Sequence, residues 1–253
     1  MSGLMSITGH KDAAPVKVGV PIADLNTGMF AMQGILSAYI HRLKGGEGQF
    51  LEVSLLESAL AYTLYESSIY FTTGSISEPD GSAHRLTAPY QAFKTKDGYI
   101  NLGAANQSNW ERFVDVIGMS KLKKDSRFMT SDMRQINRKE LEVILEKVFS
   151  TKNNKEWISK LLDNGIPAGP SYNMKEVWED DHVNSRNMNI KIDHPNLKNS
   201  QNIGIVAKLK STPGQIKTPA PLYGEHTEEI LQELDYTESE ISNLIQKKIA
   251  GMK

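Results

Sequence analysis

The chain predicts an α/β protein, and three observations carry that prediction. A short apolar run, Val18-Gly19-Val20-Pro21-Ile22-Ala23, leads directly into a stretch with helical spacing. A second pair repeats the order: Phe50-Leu51-Glu52-Val53 alternates like a strand, and Ser54 opens a helix with Glu57 three residues on, the spacing of a capping box. Further along, Lys94-Thr95-Lys96-Asp97-Gly98 places an Asp-Gly turn between two strand-like runs, which predicts a hairpin.

The elements follow in chain order. Residues 16–23 predict a short buried strand or extended lead-in, and residues 27–43 a helix. On that helix Met32, Leu36, Tyr39 and Leu43 recur at spacings of four, three and four and share one face. His41, Arg42 and Lys44 suit its C-terminal dipole, and Gly45-Gly46 stop it. Gly28 and Gly34 weaken it and make sense where a backbone or ligand packs closely. The Ser54 helix runs to about Tyr70 with its aromatic side chains in a core. Residues 72–85 read as a polar Gly/Ser-rich boundary. The hairpin, Pro89–Phe93 with Tyr99–Leu102, is followed by helices at about 108–117, 138–149 and 154–163 and a short helix after Asn173. Strand-like runs at 188–192 and 203–209 precede a proline-rich connector. His226 and Thr227 open one more helix, and Thr237 with Glu240 caps the last.

Composition excludes several function classes. The chain has 253 residues, 39% hydrophobic and 23% charged, a globular balance. Lys and Arg number 29 against 30 Asp and Glu, so nothing points to nucleic acid. No cysteine is present, which removes disulfides, thiol nucleophiles and cysteine metal sites; six scattered histidines without HExxH spacing give no support to zinc. No apolar stretch is long enough to span a bilayer, and the first residues lack the pattern of a signal peptide. A cytoplasmic location, with no membrane partner, is the expectation.

Asp24 is the leading candidate for chemistry. It stands at the mouth of the 27–43 helix, where the partial positive charge of the N-terminus favours a carboxylate. On the local pattern alone a helix cap is the readier explanation. The surrounding motifs are more specific. Ser2-Gly3-Leu4-Met5-Ser6-Ile7-Thr8-Gly9, Ala23-Asp24-Leu25-Asn26-Thr27-Gly28, Ser54-Leu55-Leu56-Glu57-Ser58-Ala59, Ala88-Pro89-Tyr90-Gln91-Ala92-Phe93, Gly165-Ile166-Pro167-Ala168-Gly169-Pro170 and Pro221-Leu222-Tyr223-Gly224-Glu225-His226-Thr227 occur in this order. Through them the chain resembles the class III CoA-transferases, the family of formyl-CoA transferase, carnitine CoA-transferase and 2-methylacyl-CoA racemases. Residues 89–100 look most like the succinyl-CoA:glutarate type.

The resemblance implies that Asp24 is the nucleophile. It would form a mixed anhydride with the acyl group of an acyl-CoA and then an aspartyl-CoA thioester, before passing CoA to a dicarboxylic acid. No cofactor beyond the CoA thioester substrate and no metal is implied. The Asp must be ionised, so it is expected to be open to a cleft, with hydrogen-bond donors nearby. Arg85 is a candidate to receive a substrate carboxylate bidentately, and a solvated loop arginine is the alternative. His84 in the same loop is a second candidate substrate contact. His226 reads as structural, and Tyr90 and Phe93 as hairpin packing. The loop 81–86 lacks the glycine run of formyl-CoA transferase, which argues against an oxalate/formate pair.

The fold implied is that of class III CoA-transferases: residues 1–75 as the C-terminal part of a Rossmann-like large domain, 86–185 as a small α+β domain, and 186–253 as a linker with helices returning to the large domain. The family's N-terminal third, which supplies most CoA contacts, has no counterpart here. A fragment, a split enzyme with a separate N-terminal half as partner, and an inactive remnant all fit. Each predicts that this chain alone exposes apolar surface and binds CoA poorly. An interlocked homodimer is expected once the fold is complete. The rival activity is a 2-methylacyl-CoA racemase on the same scaffold, which needs an acid–base pair across the α-carbon.

Overall fold

The computed structural model describes residues 1–251. Two compact units make up the chain, one ending at Ser171 and the other opening at Tyr172. The first begins with α1 (Leu4–Ile7), α2 (Ile22–Leu43), α3 (Leu55–Leu60), a 3₁₀ turn at Ala61–Thr63, and α4 (Leu64–Thr73). The hairpin β1 (Tyr90–Lys94) and β2 (Tyr99–Gly103) follows, then α5 (Gln107–Val116), α6 (Ser131–Ile136), α7 (Arg138–Phe149), α8 (Asn154–Leu162) and β3 (Ala168–Pro170). The second unit contains α9 (Met174–Glu179), α10 (Asp181–Ser185), the strand pair β4 (Asn189–Lys191) and β5 (Gln201–Ile203), α11 (Thr227–Glu233) and α12 (Glu238–Gln246). Both sheets are antiparallel. β1 pairs with β2 so that Phe93 faces Ile100, and β2 pairs with β3 so that Leu102 faces Ala168; β4 pairs with β5.

The core lies between Phe93 and Ile166. Along β1 and β2 alternate residues point inward, and Phe93, Ile100 and Leu102 are buried. Helices α5, α7 and α8 lay their apolar faces on that side through Trp110, Phe113, Leu145, Phe149, Trp157 and Leu161. Phe149 sits at the centre, 5.1 Å from the Phe93 ring and 5.2 Å from Trp157. Its carbonyl also accepts the Trp157 indole N–H at 2.8 Å, so the buried indole is satisfied. The helices start where capping residues stop the preceding chain. Asn106 Oδ1 accepts from the Asn109 amide, and Asn153 forms a full capping box with Glu156. The next residue, Asn154, closes the hairpin turn: its amide donates to Asp97 Oδ1 at 2.7 Å and its side chain receives the Thr95 hydroxyl.

Arg134 is the least expected member of this unit. It is fully buried on the six-residue helix α6. Its guanidinium donates to the carbonyls of Ala88 (3.0 Å), Phe128 (3.1 Å) and Ala105 (2.8 Å) and to Gln107 Oε1 (3.0 Å), and it lies 4.8 Å above the Trp110 ring. Burial pushes it down to about 10, so it stays charged at neutral pH.

Carboxylates on the surface of the same unit are held low. Arg127 hydrogen-bonds Asp125, and Lys123 with Ser120 hydrogen-bonds Asp115; each carboxyl titrates below its ordinary range. A folded-state pKa below the unfolded one contributes stability above about pH 4, lost as pH falls through the folded value. The melting temperature is therefore expected to drop between about pH 4 and pH 2, and D125N should flatten that part of the profile. An unchanged profile would show that these ion pairs add nothing.

Four expectations need correction. Residues 16–23 form no strand, which leaves the other reading of them, a lead-in to the helix, and 50–53 form none either: neither Pro15–Gly19 nor Glu47–Val53 makes a backbone hydrogen bond among the described residues. A strand exists only through a neighbour, and neither segment has one. The helix expected at 27–43 begins earlier, at Ile22. The aromatic positions of 60–71 are not core, for Tyr62, Tyr65, Tyr70 and Phe71 are all exposed. The strand expected at 203–209 is confined to Gln201–Ile203. Of the two helix glycines, Gly34 does admit a close neighbour, since an added Cβ would lie 2.7 Å from Leu51 Cδ1, while Gly28 faces open space.

Candidate functional site

Asp24 is the third residue of α2, in its first turn. The helix opens after Pro21, with no side chain capping it, so Asp24 is not the cap. Pro21 has no N–H to donate and its ring fixes φ, which lets the chain turn into the helix there. The Asp24 side chain is exposed and accepts no hydrogen bond among the described residues. It looks into a cleft of about 650 Å³ walled by Gly3, Leu4, Lys17, Val20 and Pro21. That size accommodates the reacting end of a small organic acid or thioester. The expected opening to a cleft is thus present; the expected donors beside the carboxylate are not.

Lys17 is the cationic side chain lining this cleft, and it joins none of the ion pairs formed among the described residues. Sequence reasoning gave Lys17 no role, because Pro15-Val16-Lys17-Val18 counts only as part of the family-like run into Asp24 and a single lysine there has no spacing partner to suggest one. Only the return of residues 1–6 over the same opening makes it a wall residue. Asn26, two residues beyond Asp24, is buried: its Oδ1 accepts the Tyr62 hydroxyl at 2.6 Å, while its amide nitrogen has no partner among the described residues. This contact fixes the first turn of α2 against the 3₁₀ turn.

His84 and Arg85 lie elsewhere. The His84 ring stacks on Tyr90 at 5.2 Å and meets the edge of Tyr65 at 5.9 Å, which ties α4 to β1. Its Nδ1 accepts the Leu86 amide at 3.2 Å. Arg85 donates to Glu66 Oε1 at 3.3 Å and to the Glu78 carbonyl at 2.7 Å. A substrate carboxylate would have to displace Glu66 to reach it. Neither residue lines the Asp24 cleft. His226 stands at the start of α11 with its ring 3.2 Å from Glu229, a local contact. Among the described residues no cluster of His, Asp or Glu is arranged to hold a metal, and no helix is long and apolar enough to cross a membrane.

The chain is similar to known proteins over most of its length. The chain is 34% identical over 246 residues to the succinyl-CoA:glutarate CoA-transferase of Mus musculus, covering 97% of this chain and 56% of that protein. It is 29% identical to the succinate–glutarate CoA-transferase of Agrobacterium fabrum, covering 94% and 60%. The chain therefore spans just over half the length of the curated relatives it matches. The crystal structure of a CAIB/BAIF family protein from Brucella suis superposes with a TM-score of 0.77 at 28% identity, over 92% of this chain and 61% of that one. Rv3272 from M. tuberculosis shares the fold with a TM-score of 0.78 at 23% identity, over 90% and 60%. The mixed α/β architecture is thus that of these proteins. The family description CoA-transferase family III matches residues 1–227. On that match, and on motifs that run in the family's order from Ser2 to Thr227, this chain belongs to CoA-transferase family III.

Proposed function

We propose that the chain carries the nucleophile-bearing part of an enzyme that moves CoA from an acyl-CoA to a dicarboxylic acid. The observation that carries the reading is the free Asp24 carboxylate at the first turn of α2, open to the cleft that Lys17 lines. Asp24 Oδ attacks the thioester carbonyl carbon; the C–S bond breaks and CoA leaves as a thiolate, giving a mixed anhydride. The thiolate attacks Asp24 Cγ and releases the donor acid as its carboxylate. The acceptor carboxylate then attacks Cγ of the aspartyl-CoA thioester, and the expelled thiolate attacks the acceptor acyl carbon. The new acyl-CoA departs and Asp24 is restored, with no net change in protons or electrons. CoA enters as substrate, and the chemistry calls for no further cofactor. The dicarboxylate preference is supported by the names of the mouse and Agrobacterium relatives. A separate polypeptide for the remainder of the fold, an interlocked homodimer and a cytoplasmic location belong to the same reading.

Hydroxylamine tests it. Incubation with succinyl-CoA and hydroxylamine should convert Asp24 to a hydroxamate, found by peptide mass mapping and absent in D24A. The measurement is made with and without the remainder of the fold supplied in trans. An adduct on any other carboxylate, or none in either setting, overturns the assignment.

Lys17 has a narrower expected role. In this reading its ammonium receives the far carboxylate of the acid. A hydrogen bond to a charged group contributes about 1.5–3 kcal/mol, reduced here by exposure. K17M is expected to raise KM for the dicarboxylate about tenfold with kcat little changed. A fall in kcat at constant KM would remove Lys17 from substrate recognition.

A further inference from the structure

The walls of the Asp24 cleft meet at one glycine. Residues 1–6 form one wall, and Lys17, Val20 and Pro21 belong to the other. Gly9 lies between these segments in the chain, at φ 114°, a backbone setting that other residues rarely adopt. A Cβ added there would stand 3.0 Å from Val16 Cγ2, so Gly9 packs directly on the residue before Lys17. Its carbonyl accepts the Gly81 amide at 2.8 Å. Gly81 is itself at φ 63°, and a Cβ added to it would meet His10 Nδ1 at 3.1 Å. The junction of the two walls is therefore seated on the loop 78–86, through contacts too tight for a side chain to be added without a shift.

That loop is anchored from the far side. Arg138, the first residue of α7, holds Asp80 with both terminal guanidinium nitrogens, at 2.5 Å and 2.6 Å. The Arg138 side chain is 15% exposed and that of Asp80 30%. A two-pronged pair fixes direction as well as distance, and partial burial spares it much of the screening that weakens surface pairs. Gln135, on α6, donates to the Arg85 carbonyl at 2.8 Å. From β1, the Ala92 amide donates to Ser82 Oγ at 3.1 Å, and the Tyr90 carbonyl accepts the His84 amide at 2.8 Å. Lys11 also meets Glu78 at 2.8 Å, but both side chains are more than half exposed, so that pair holds little.

We propose that Arg138 is a positioning residue of the Asp24 cleft, holding the two cleft walls at their common junction through Asp80, Gly81 and Gly9. Arg138 itself does not line the cleft. Its influence passes through one unbroken series of contacts: the ion pair to Asp80, the peptide link to Gly81, the hydrogen bond to Gly9, and from Gly9 the chain in both directions. The catalytic consequence rests on the reading of Asp24 as nucleophile. A wall that drifts presents the thioester carbonyl to Asp24 at the wrong distance, and a misplacement of about 1 Å can cost about 10²-fold in rate. Arg138 thus acts on the reaction without touching substrate, whereas Arg134, four residues earlier, acts on the stability of the core.

Hydrogen exchange and hydroxylamine trapping on the same variants test it. In R138M the amides of Ser6 and Gly81 should exchange at least about tenfold faster than in the parent, while those of α5 and α8, in the aromatic core, change by less than about threefold. D80N should do the same, and D80N/R138M no more than either single change, because both break one link. K11M should leave the Ser6 and Gly81 amides within about twofold. Asp24 hydroxamate formation from succinyl-CoA, in whichever setting the parent forms it, should slow at least about tenfold in R138M at saturating thioester. Unchanged exchange at Ser6 and Gly81 overturns the proposal. So does equal acceleration in α5 and α8, which makes Arg138 a general stabilising residue, and so does faster exchange with an unchanged trapping rate. If the parent itself forms no Asp24 hydroxamate, the nucleophile assignment fails, and the exchange rates alone decide whether Arg138 holds the walls.

Discussion

D24N is expected to lower CoA transfer at least about 10³-fold in the complete enzyme while leaving the melting curve almost unchanged. The two halves of this expectation have different causes. An amide cannot form the anhydride, and removal of a nucleophile in a stepwise acyl transfer leaves only positioning and electrostatic effects. Asparagine also lacks the charge that suits the first turn, but at an exposed position that is worth only about 0.3–1 kcal/mol. Asp24 caps nothing and accepts no hydrogen bond among the described residues, so no structure is lost with it. Single-turnover assays with succinyl-CoA, paired with a urea titration, separate the two. Transfer within tenfold of the parent would remove Asp24 from the chemistry. A stability loss above about 2 kcal/mol would show a structural role far beyond the dipole term.

The second large effect is structural. R134M is expected to destabilise the first unit by at least about 3 kcal/mol. Methionine fills much of the volume but donates nothing, which leaves the carbonyls of Ala88, Ala105 and Phe128 and the Gln107 amide oxygen short of a donor. Each buried acceptor left unpaired costs about 1–3 kcal/mol. Among the described residues the guanidinium has no carboxylate partner to strand, so removing its charge offsets part of the loss. R134K keeps the charge but has three donors on one nitrogen and cannot span the four acceptors, so it should fall between the parent and R134M. A change below 1 kcal/mol in urea melts of R134M would mean that water replaces the side chain.

What the sequence discloses here depends on whether an element is stabilised by itself or by something distant. Helices α5, α7 and α8 and the hairpin were legible because caps such as Asn153 with Glu156, the Asp97-Gly98 turn and the buried stripes are local signals. The expected strands at 16–23 and 50–53 carry strand-like residues, but a strand is a relation between two segments, and no described segment pairs with either. β3 escaped notice because three residues, Ala168-Gly169-Pro170, have no periodicity to read. Arg134 was invisible for a related reason: helix α6 is short and polar, and only the carbonyls that converge on the guanidinium make burial tolerable. At the site, Asp24 was found through its neighbours in sequence. Lys17 was not, because it reaches the cleft only after the first six residues fold back. His84 and Arg85 share the loop expected of them, yet Tyr65, Tyr90 and Glu66 take up their side chains.

The placement of the aromatic core has a practical consequence. All of the large buried cluster falls between Phe93 and Ile166, whereas Asp24 sits on a helix whose outer face is bare. Cooperative heat absorption will come from the first of these regions, because it holds the apolar contacts that melt together. A small molecule in the Asp24 cleft raises the melting midpoint only if opening of α2 is coupled to that transition. Without that coupling, thermal-shift screening of this chain by itself passes over true occupants of the cleft. Ligand-observed methods, which register contact without requiring the host to melt, are the suitable way to search for them.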